Sequence, residues 1–208
     1  KIKEINISAK VESIGESIGT YCNNLQAINV DPNNKNYSSD EGVFFDKERT
    51  ILKQYPRNKS DVEDYIIPNT VTTIGERAFF YNDRLKNIII PDTVTIIEEY
   101  AFYKCENLSD IVIPNSVTKI ESEAFSYCKG LISIDIPDSV IRLGYGVFND
   151  CRRLKNIKLS KNLEYVGSRI LAYCDSLINV DIPEDIAKIQ ENAFVATNIN
   201  HLLTEEEM

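Results

Sequence analysis

The segment IPDTVTIIEEYAFYKCENLSDIVIP, residues 90–114, has a close copy in the next stretch of the chain, IPNSVTKIESEAFSYCKGLISIDIP, residues 113–137. The two segments align without a gap at a spacing of 23 residues. The same spacing separates four of the five cysteines, at positions 105, 128, 151 and 174. A fixed period of this length is the sequence signature of a solenoid, in which each repeat packs against its neighbours.

Each repeat ends in an apolar pattern that predicts a β-strand. The pattern is leucine, two variable residues, isoleucine, one variable residue, isoleucine and proline, and its final alternation is typical of a strand with one buried face. Because equivalent strands in successive coils must run in the same direction, we expect a parallel sheet with strands about 4.8 Å apart. The proline ends the strand since it has no amide hydrogen to donate. The central Ala-Phe segment is predicted to form a helical or 3₁₀ turn on the convex side.

The 23-residue frame runs through nearly the whole chain and predicts a single solenoid domain, residues 1–208. We divide it into N-terminal coils (1–30), a coil with an insertion (31–67), regular repeats (68–182) and a degenerate C-terminal coil (183–208). The frame begins partway through a unit, so we expect a further unit or a cap before residue 1. At the other end it decays toward HLLTEEEM, which we expect to be a polar terminal coil that closes the solenoid.

The insertion lies between Asp31 and Pro68, where 37 residues replace the usual 23. Its first part, DPNNKNYSSDEG, is rich in turn residues. Its second part, GVFFDKERTILKQYP, places two apolar runs around residues 46–49. This arrangement predicts a β-hairpin that projects from the solenoid.

Charge and hydropathy exclude some classes of protein. Asp and Glu total 32 against 23 for Lys and Arg, and the net charge of −9 repels nucleic-acid phosphates and anionic lipid surfaces. No window approaches the roughly 18 uninterrupted apolar residues that span a bilayer, and KIKEINISAK lacks the apolar segment of a signal peptide. We therefore predict no nucleic-acid partner and no membrane insertion by this segment.

The cysteines, with Cys22 as the fifth, share one offset of the repeat and are predicted to form a buried column inside the coils. Asn82 stands at the same offset, where its amide can hydrogen-bond loop backbone. A disulfide is disfavoured because side chains on stacked coils point in parallel, and zinc would need about four converging ligands. A thiol nucleophile would need a base, and none recurs nearby. The single histidine, His201, is predicted to be a surface residue, so we predict no catalytic residue, metal or cofactor.

These repeats, together with the insertion VDPNNKNYSSDEGVFFDKERT followed by IIPNTVTTIGERAF, resemble the BspA-type leucine-rich repeat family of bacterial and some protozoan surface proteins. The resemblance covers essentially the whole chain, with departures such as Ser160 for proline and Leu171 for phenylalanine. It implies a β-rich leucine-rich-repeat solenoid with a parallel β-sheet on the concave face, short β, 3₁₀ or helical turns on the convex face and one β-hairpin insertion. It also implies a secreted or cell-surface location, often as one module of a longer chain, and a function in adhesion or protein binding.

A binding surface is predicted among the variable strand residues that face away from the core. Exposed apolar residues rimmed by polar ones can mark an interaction site, and folding alone does not require them. The candidate partner-binding residues are Asn87, Ile89, Asp110, Val112, Ile132, Asp135, Lys158 and Asp181.

Two aromatic groups offer competing surfaces. The insertion contributes Tyr37, Phe44, Phe45 and Tyr55, which either form contacts with a partner or pack against the first coils. One repeat offset carries Tyr21, Tyr81, Tyr127 and Tyr173, which form either convex packing or a contact stripe.

The sequence thus predicts a non-enzymatic, secreted or cell-surface module that binds a protein partner, such as a host extracellular or cell-surface protein, through the concave strand face. A glycan is the other partner considered. The alternative function is a structural spacer or stalk that displays another domain of a longer surface protein. An enzyme is disfavoured because no acid–base, nucleophile or metal constellation survives alignment to the repeat frame.

Overall fold

The computed structural model describes residues 2–15, 18–59, 63–186 and 188–197. Over these residues the chain forms a β-solenoid of about eight turns that contains strands and turns but no helix. In chain order the strands are β1 (Glu4–Ile7), β2 (Ala27–Val30), β3 (Tyr37–Asp40), β4 (Val43–Asp46), β5 (Ile51–Gln54), β6 (Asp64–Ile66), β7 (Thr73–Ile74), β8 (Asn87–Ile89), β9 (Ile96–Ile97), β10 (Asp110–Ile111), β11 (Lys119–Ile120), β12 (Ser133–Asp135), β13 (Arg142–Leu143), β14 (Asn156–Lys158) and β15 (Asn179–Asp181). The segment HLLTEEEM, predicted to close the solenoid, and His201 within it lie outside the described residues.

The closing strands of the repeats stack into one wall of the solenoid, here called the concave wall. Its strands are β1, β2, β6, β8, β10, β12, β14 and β15, and every hydrogen-bonded pair among them is parallel. Register follows the repeat, since Asn156 lies opposite Asn179, 23 residues later. Along β12 and β14 the central isoleucine is buried and both flanking residues are exposed. The predicted parallel sheet and its 23-residue register are therefore confirmed.

A second wall contains the two-residue strands that follow the proline of each repeat. The strands β7, β9, β11 and β13 pair in parallel, and a single bridge joins Val166 to Ile189 in the following coils. One residue of each strand, such as Ile97 or Ile120, is buried in the core. Most neighbouring coils are thus joined along two separate lines of backbone hydrogen bonds, whereas the coils of β10 and β12 are paired only through the second wall.

Side-chain hydroxyls join neighbouring coils at the corner after the proline. Ser139 Oγ donates to the carbonyl oxygen of Val117 at 2.6 Å, and the two preceding coils make the same bond at 2.6 and 2.7 Å. The next coil has Asn162 at this offset. There Ser160, standing where other coils have proline, donates instead to the carbonyl oxygen of Val140 at 2.6 Å. Ser160 thus supplies the hydroxyl that its own coil lacks at the usual position.

The third wall, here called the turn wall, holds the Ala-Phe segments, and the helical or 3₁₀ turn predicted there is wrong. Hydrogen bonds alternate along it: the Ala101 N–H donates within its own coil to Glu98 O at 3.2 Å, whereas the Phe102 N–H donates to Ala124 O of the next coil at 2.7 Å. Left-handed residues such as Tyr100, with φ of 57°, break the run of helical dihedrals. Half of the donors that a helix would use internally therefore bond to the neighbouring coil.

The insertion forms three strands, because β3 and β4 are antiparallel and β4 and β5 are antiparallel. The predicted hairpin across residues 46–49 is confirmed as β4–β5. Its predicted projection from the solenoid is wrong, since β5 pairs in parallel with β7 and the three strands extend the second wall. The turn-rich segment also contains a strand, β3, in which Ser39 Oγ accepts a hydrogen bond from the Val30 N–H at 2.9 Å.

Two hydrophobic clusters fill the solenoid, and β4 lies between them. The larger cluster contains Val43 and Phe45, whereas the smaller one contains Phe44 with Leu25 and Ile28 of the N-terminal coils. Successive side chains of a strand point to opposite faces, so β4 is buried on both sides. The strand forms a partition between the N-terminal coils and the regular repeats.

Aromatic rings run through the larger cluster, one for each coil. The stacked rings are those of Phe79, Phe102, Phe125 and Phe148, with 4.9–5.6 Å between centroids. Tyr55 of the insertion extends this column, with its ring centroid 5.4 Å from that of Phe79. Leu171 takes the same position in a later coil and is fully buried.

Candidate functional site

The concave wall presents to solvent the side chain at the third position of each strand, and these side chains are here called the outer row. Because the strands are in register, neighbours in the row are separated by about 4.8 Å of sheet. Strands β1 and β2 contribute Asn6 and Asn29 to this row. From β6 onward the row consists of Ile66, Ile89, Val112, Asp135, Lys158 and Asp181, of which Val112 directly follows β10. It is aliphatic over three coils and charged over the next three.

The aliphatic half of the outer row is open to solvent. Ile66, Ile89 and Val112 are 66%, 56% and 74% exposed, whereas the adjacent isoleucines in sequence, Ile67, Ile88 and Ile111, are buried. These side chains contribute little to the core, and Ile66 and Ile89 form a cross-strand pair on the open face of the wall. Adjacent exposed aliphatic residues are typical of a surface that contacts another molecule.

A depression of about 880 Å³ lies over the middle of the concave wall. Six of the eight candidate residues line it, namely Asn87, Ile89, Asp110, Val112, Asp135 and Lys158. Ile132 and Asp181 are exposed but lie outside its lining, since Ile132 precedes β12 and Asp181 stands one strand beyond Lys158. The structure therefore brings most of the candidate residues onto one concave surface.

The depression is acidic. Its charged lining residues are Asp92, Asp110, Asp135, Asp138 and Lys158. Among the described residues, Asp110 and Asp135 have no ion-pair partner. A concave surface with low-dielectric walls focuses the field of such charges. The surface is consequently suited to a cationic ligand.

Amide side chains at the first position of the strands are bonded to one another. Asn87 Nδ2 donates to Asp64 Oδ1 at 2.6 Å, and Asn179 Nδ2 donates to Asn156 Oδ1 at 2.8 Å. These bonds cross from strand to strand, so they stabilise the wall itself. The side chains in the aliphatic half of the outer row have no polar atoms, so they take no part in such bonds.

Sequence reasoning missed three residues of this surface. Asp92 and Asp138 follow a proline, where the sequence predicts turn residues whose side chains bond their own backbone. Asp138 Oδ1 instead accepts a hydrogen bond from the Lys161 N–H of the next coil at 3.0 Å. Both nevertheless line the depression. Ile66 belongs to the coil with the insertion, where the frame is hardest to follow. The signal for it was the 23-residue spacing from Ile89.

The cysteine column is buried as predicted, apart from the half-buried Cys22. Each buried Sγ lies 3.2 Å from the carbonyl oxygen of a phenylalanine in the preceding coil; the cysteines are Cys105, Cys128, Cys151 and Cys174. Burial raises the pKa of all four thiols, to about 12 for Cys174. Asn82 is buried at the same offset, and its Oδ1 accepts a hydrogen bond from the Leu85 N–H at 3.0 Å. Neutral thiols that donate to backbone serve packing rather than nucleophilic chemistry.

The aromatic residues of the insertion face inward. Phe44, Phe45 and Tyr55 are buried, and Tyr37 packs on Phe44 with 5.3 Å between ring centroids. The packing interpretation of these residues is the correct one. They do not offer a contact surface.

The tyrosines that share one repeat offset lie on the turn wall. Lys104 Nζ lies 4.8 Å from the ring centroid of Tyr81 and 5.1 Å from that of Tyr127, within the range of a cation–π contact. Tyr21 and Tyr173 are exposed. Since the faces of Tyr81 and Tyr127 are already occupied by Lys104, packing is the better interpretation for these two.

Within the described ranges, no three histidine, cysteine, aspartate or glutamate side chains converge in a way that could hold a metal ion. None of the described residues belongs to a helix with the length and hydrophobicity needed to cross a bilayer.

A parallel wall with one closing strand from each 23-residue coil, and a buried column of aromatic rings behind it, define a leucine-rich repeat solenoid. The chain belongs to the BspA-type leucine-rich repeat family. The model of that family's repeat region, which has six copies, matches residues 1–50, 49–131 and 72–200. Proteins of this family are generally non-enzymatic repeat scaffolds.

Solved structures support the same fold. A leucine-rich repeat protein from Eubacterium ventriosum is 29% identical over 94% of this chain and 59% of its own, with a TM-score of 0.79. One from Bacteroides ovatus is 27% identical over 76% of this chain and 41% of its own, with a TM-score of 0.66. The pneumococcal vaccine antigen PcpA, 23% identical over 99% of this chain and 48% of its own, has the same fold with a TM-score of 0.74. The chain thus spans between about two fifths and three fifths of these proteins, and no curated protein matches it.

Proposed function

We propose that the chain is a non-enzymatic binding module that holds a protein partner against its concave wall. The observation that carries this proposal is the exposed aliphatic half of the outer row, which borders a depression of about 880 Å³. Ile89 and Val112 could be polar without any loss of core packing. Their hydrophobicity is useful only when another surface covers them.

A protein suits this surface better than a glycan. Protein interfaces combine an apolar centre with a polar rim, which is the arrangement of the aliphatic row and its surrounding aspartates. A glycan presents hydroxyl groups along its length. If a glycan covered the aliphatic row, its hydroxyl groups would lose their hydrogen-bond partners, at a cost of about 1–3 kcal/mol for each hydroxyl group.

We place the module on a secreted or cell-surface protein, since the BspA-type resemblance implies that location. The chemistry of the cysteines is compatible with it. Oxidation requires accessible thiolate, and the four buried thiols donate hydrogen bonds to backbone inside the coils. An oxidising environment would therefore leave the column intact.

A structural spacer is the second candidate function. It is favoured by the bonding between coils, since backbone hydrogen bonds join neighbouring coils on all three walls, although on the concave wall the pairing is interrupted between β10 and β12. A solenoid bonded in this way resists bending and can hold another domain at a distance. A spacer would not need the exposed side chains of the outer row.

The two functions are separated by a capture experiment with purified extracellular-matrix and cell-surface proteins. The immobilised wild-type chain is compared with an Ile89→Ser/Asp110→Asn/Val112→Ser variant. An Ile141→Ser/Tyr145→Ser variant is the control, because both residues are exposed outside the depression. Captured proteins are identified, and their dissociation constants are remeasured with purified material.

We expect the triple variant to lose binding and the control variant to keep it. Equal binding by all three proteins would exclude the concave wall as the contact surface. If the wild-type chain binds none of the proteins, the spacer becomes the better function.

A further inference from the structure

We propose that the concave wall selects one chemical kind of partner, a basic segment of a protein that also carries aliphatic side chains. This inference rests on the proposed function and specifies the partner of the same surface. The aliphatic side chains of the segment lie over Ile66, Ile89 and Val112. Its lysine or arginine side chains face Asp110 and Asp135.

The requirement for aliphatic side chains comes from the first half of the outer row. Ile66, Ile89 and Val112 stand side by side on three paired or adjacent strands and cover about 10 Å along the solenoid axis. This length accommodates two or three side chains of a partner. A partner without apolar side chains would leave these residues in water and gain nothing from them.

The requirement for positive charge comes from the aspartates. Asp110 and Asp135 lie in adjacent coils on either side of Val112 in sequence, and both are exposed and line the depression. Neither forms an ion pair with a described residue, so their charges are not neutralised within the chain. Asp92 and Asp138 add two carboxylates to the same lining. An acidic segment would place like charges together, which costs binding energy and excludes it.

The order of residues along the row also gives the partner a direction. Lys158 is the single basic residue of the lining, and it lies between Asp135 and Asp181 in the register of the sheet. A carboxylate of the partner is therefore favoured only at this end. The segment lies with its aliphatic part toward Ile66, its basic side chains over Asp110 and Asp135, and any carboxylate beside Lys158.

The experiment uses three fluorescent peptides of equal length. The first combines isoleucine and lysine, the second replaces each lysine by glutamate, and the third replaces each isoleucine by serine. Binding to the full chain is measured by fluorescence anisotropy at an ionic strength of about 0.15 M. The isoleucine–lysine peptide is expected to bind most tightly.

Paired variants locate the contact. Ile89→Ser/Val112→Ser is expected to weaken binding of the isoleucine–lysine peptide at least about tenfold, since it removes two apolar contacts. Asp110→Asn/Asp135→Asn is expected to weaken it about three- to tenfold, as two partly exposed ion pairs are lost. The controls Ile141→Ser and Asp175→Asn are exposed outside the depression and are expected to change the dissociation constant less than about twofold.

Each other outcome overturns the inference in a distinct way. If the glutamate peptide binds as well and also depends on Ile89 and Val112, the basic partner is wrong while the proposed function stands. If the serine peptide binds as tightly as the isoleucine–lysine peptide, or if Asp175→Asn weakens binding as much as the two paired variants do, the inference is wrong. The peptides are then attracted by the net charge of −9 rather than by the concave wall. If neither of the two paired variants affects the binding of any peptide, the basic partner is excluded. The capture experiment then decides the proposed function independently.

Discussion

Phe44 and Phe45 are neighbours along β4, yet their side chains belong to different hydrophobic clusters. Phe44 packs with Leu25 and Ile28 of the N-terminal coils, and Phe45 packs in the cluster that continues through the regular repeats. Both side chains are fully buried. The hydrophobic core of the N-terminal coils is therefore separated from that of the remaining coils by one strand.

This partition predicts different consequences for two similar variants. Phe45→Ala is expected to lower the free energy of unfolding of the whole chain by about 3–5 kcal/mol, since it empties a position in the large cluster. Phe44→Ala is expected to loosen the N-terminal coils alone. Hydrogen exchange measured by mass spectrometry distinguishes the two, with faster exchange confined to β1 and β2 in Phe44→Ala. Equal loss of protection in β1 and in β12 for that variant would contradict the partition.

Two glycines with left-handed backbone provide a second prediction. Gly42 has φ of 79°, and a Cβ added to it would lie 2.7 Å from Ala27 Cβ. Gly146 has φ of 58°, but its nearest neighbour would be 3.4 Å away. Gly42→Ala is expected to destabilise the chain by about 2–4 kcal/mol through overlap and backbone strain, and Gly146→Ala by about 1–2 kcal/mol through strain alone.

The overlap at Gly42 can be relieved directly. In an Ala27→Gly/Gly42→Ala variant the contact with Ala27 Cβ is removed while the Cα of residue 27 stays 3.0 Å away, so part of the lost stability is expected to return in urea denaturation. Equal costs for Gly42→Ala and Gly146→Ala would show that strain, rather than contact with β2, sets the requirement for glycine.

The hydroxyl of Ser160 gives a third prediction. Ser160→Pro restores the residue of the other repeats but leaves the carbonyl oxygen of the buried Val140 without its donor, at a cost of about 1–3 kcal/mol. Asn162→Ser places a hydroxyl at the offset where Ser139 carries one in the preceding coil. The double variant is expected to be more stable than Ser160→Pro alone. A double-mutant cycle checks this prediction. If the free-energy changes of the two single variants sum to that of the double variant within about 0.5 kcal/mol, the hydroxyl at position 162 does not replace that of Ser160.

The buried thiols predict a dependence of stability on pH. An unfolded cysteine has a pKa of about 8.5. Burial raises the pKa of the folded thiols, to about 12 for Cys174. The unfolded chain therefore loses these protons first, so the stabilisation is complete below pH of about 8.5 and is lost as the pH rises toward the folded pKa.

Cys128→Ala isolates this contribution. Above pH of about 9 the free energy of unfolding of the wild-type chain is expected to fall more steeply than that of the variant, by about 1.4 kcal/mol per pH unit for the one thiol removed. Alkylation offers an independent readout, since half-buried Cys22 is expected to react well before the buried column. Parallel pH profiles, or equal alkylation rates for Cys22 and Cys105, would argue against buried neutral thiols.

The repeat period was sufficient to predict the concave wall. Equivalent isoleucines such as Ile134 and Ile157 recur at 23 residues, and that spacing determines both the direction and the register of the strands. The turn wall could not be predicted in the same way. Apart from Gly146, its left-handed positions are occupied by residues such as Arg77, Tyr100 and Lys104 rather than by glycine, so composition gave little sign of them. The coil-to-coil bonds impose this conformation.

The candidate site was predictable where the frame is regular. Ile89 and Val112 alternate with buried isoleucines, so their exposure follows from the pleat of the strand. Asp92 was missed because a carboxylate after a proline has a sufficient local role in a turn, and its position at the edge of the depression depends on the curvature of the wall. The spacing of Tyr55 from Phe79 is 24 residues rather than 23, so only the structure assigns it to the aromatic column.

The register of the outer row has a consequence for how such a protein changes over evolutionary time. Duplication or deletion of one complete repeat shifts every later member of the row by one strand, about 4.8 Å, while the buried contacts between coils are replaced by equivalent ones. Recombination between repeats can therefore change which side chains neighbour Val112, Asp135 and Lys158 along the concave wall, without a new fold. Under the proposed function, such events would change ligand preference in discrete steps, each one coil long.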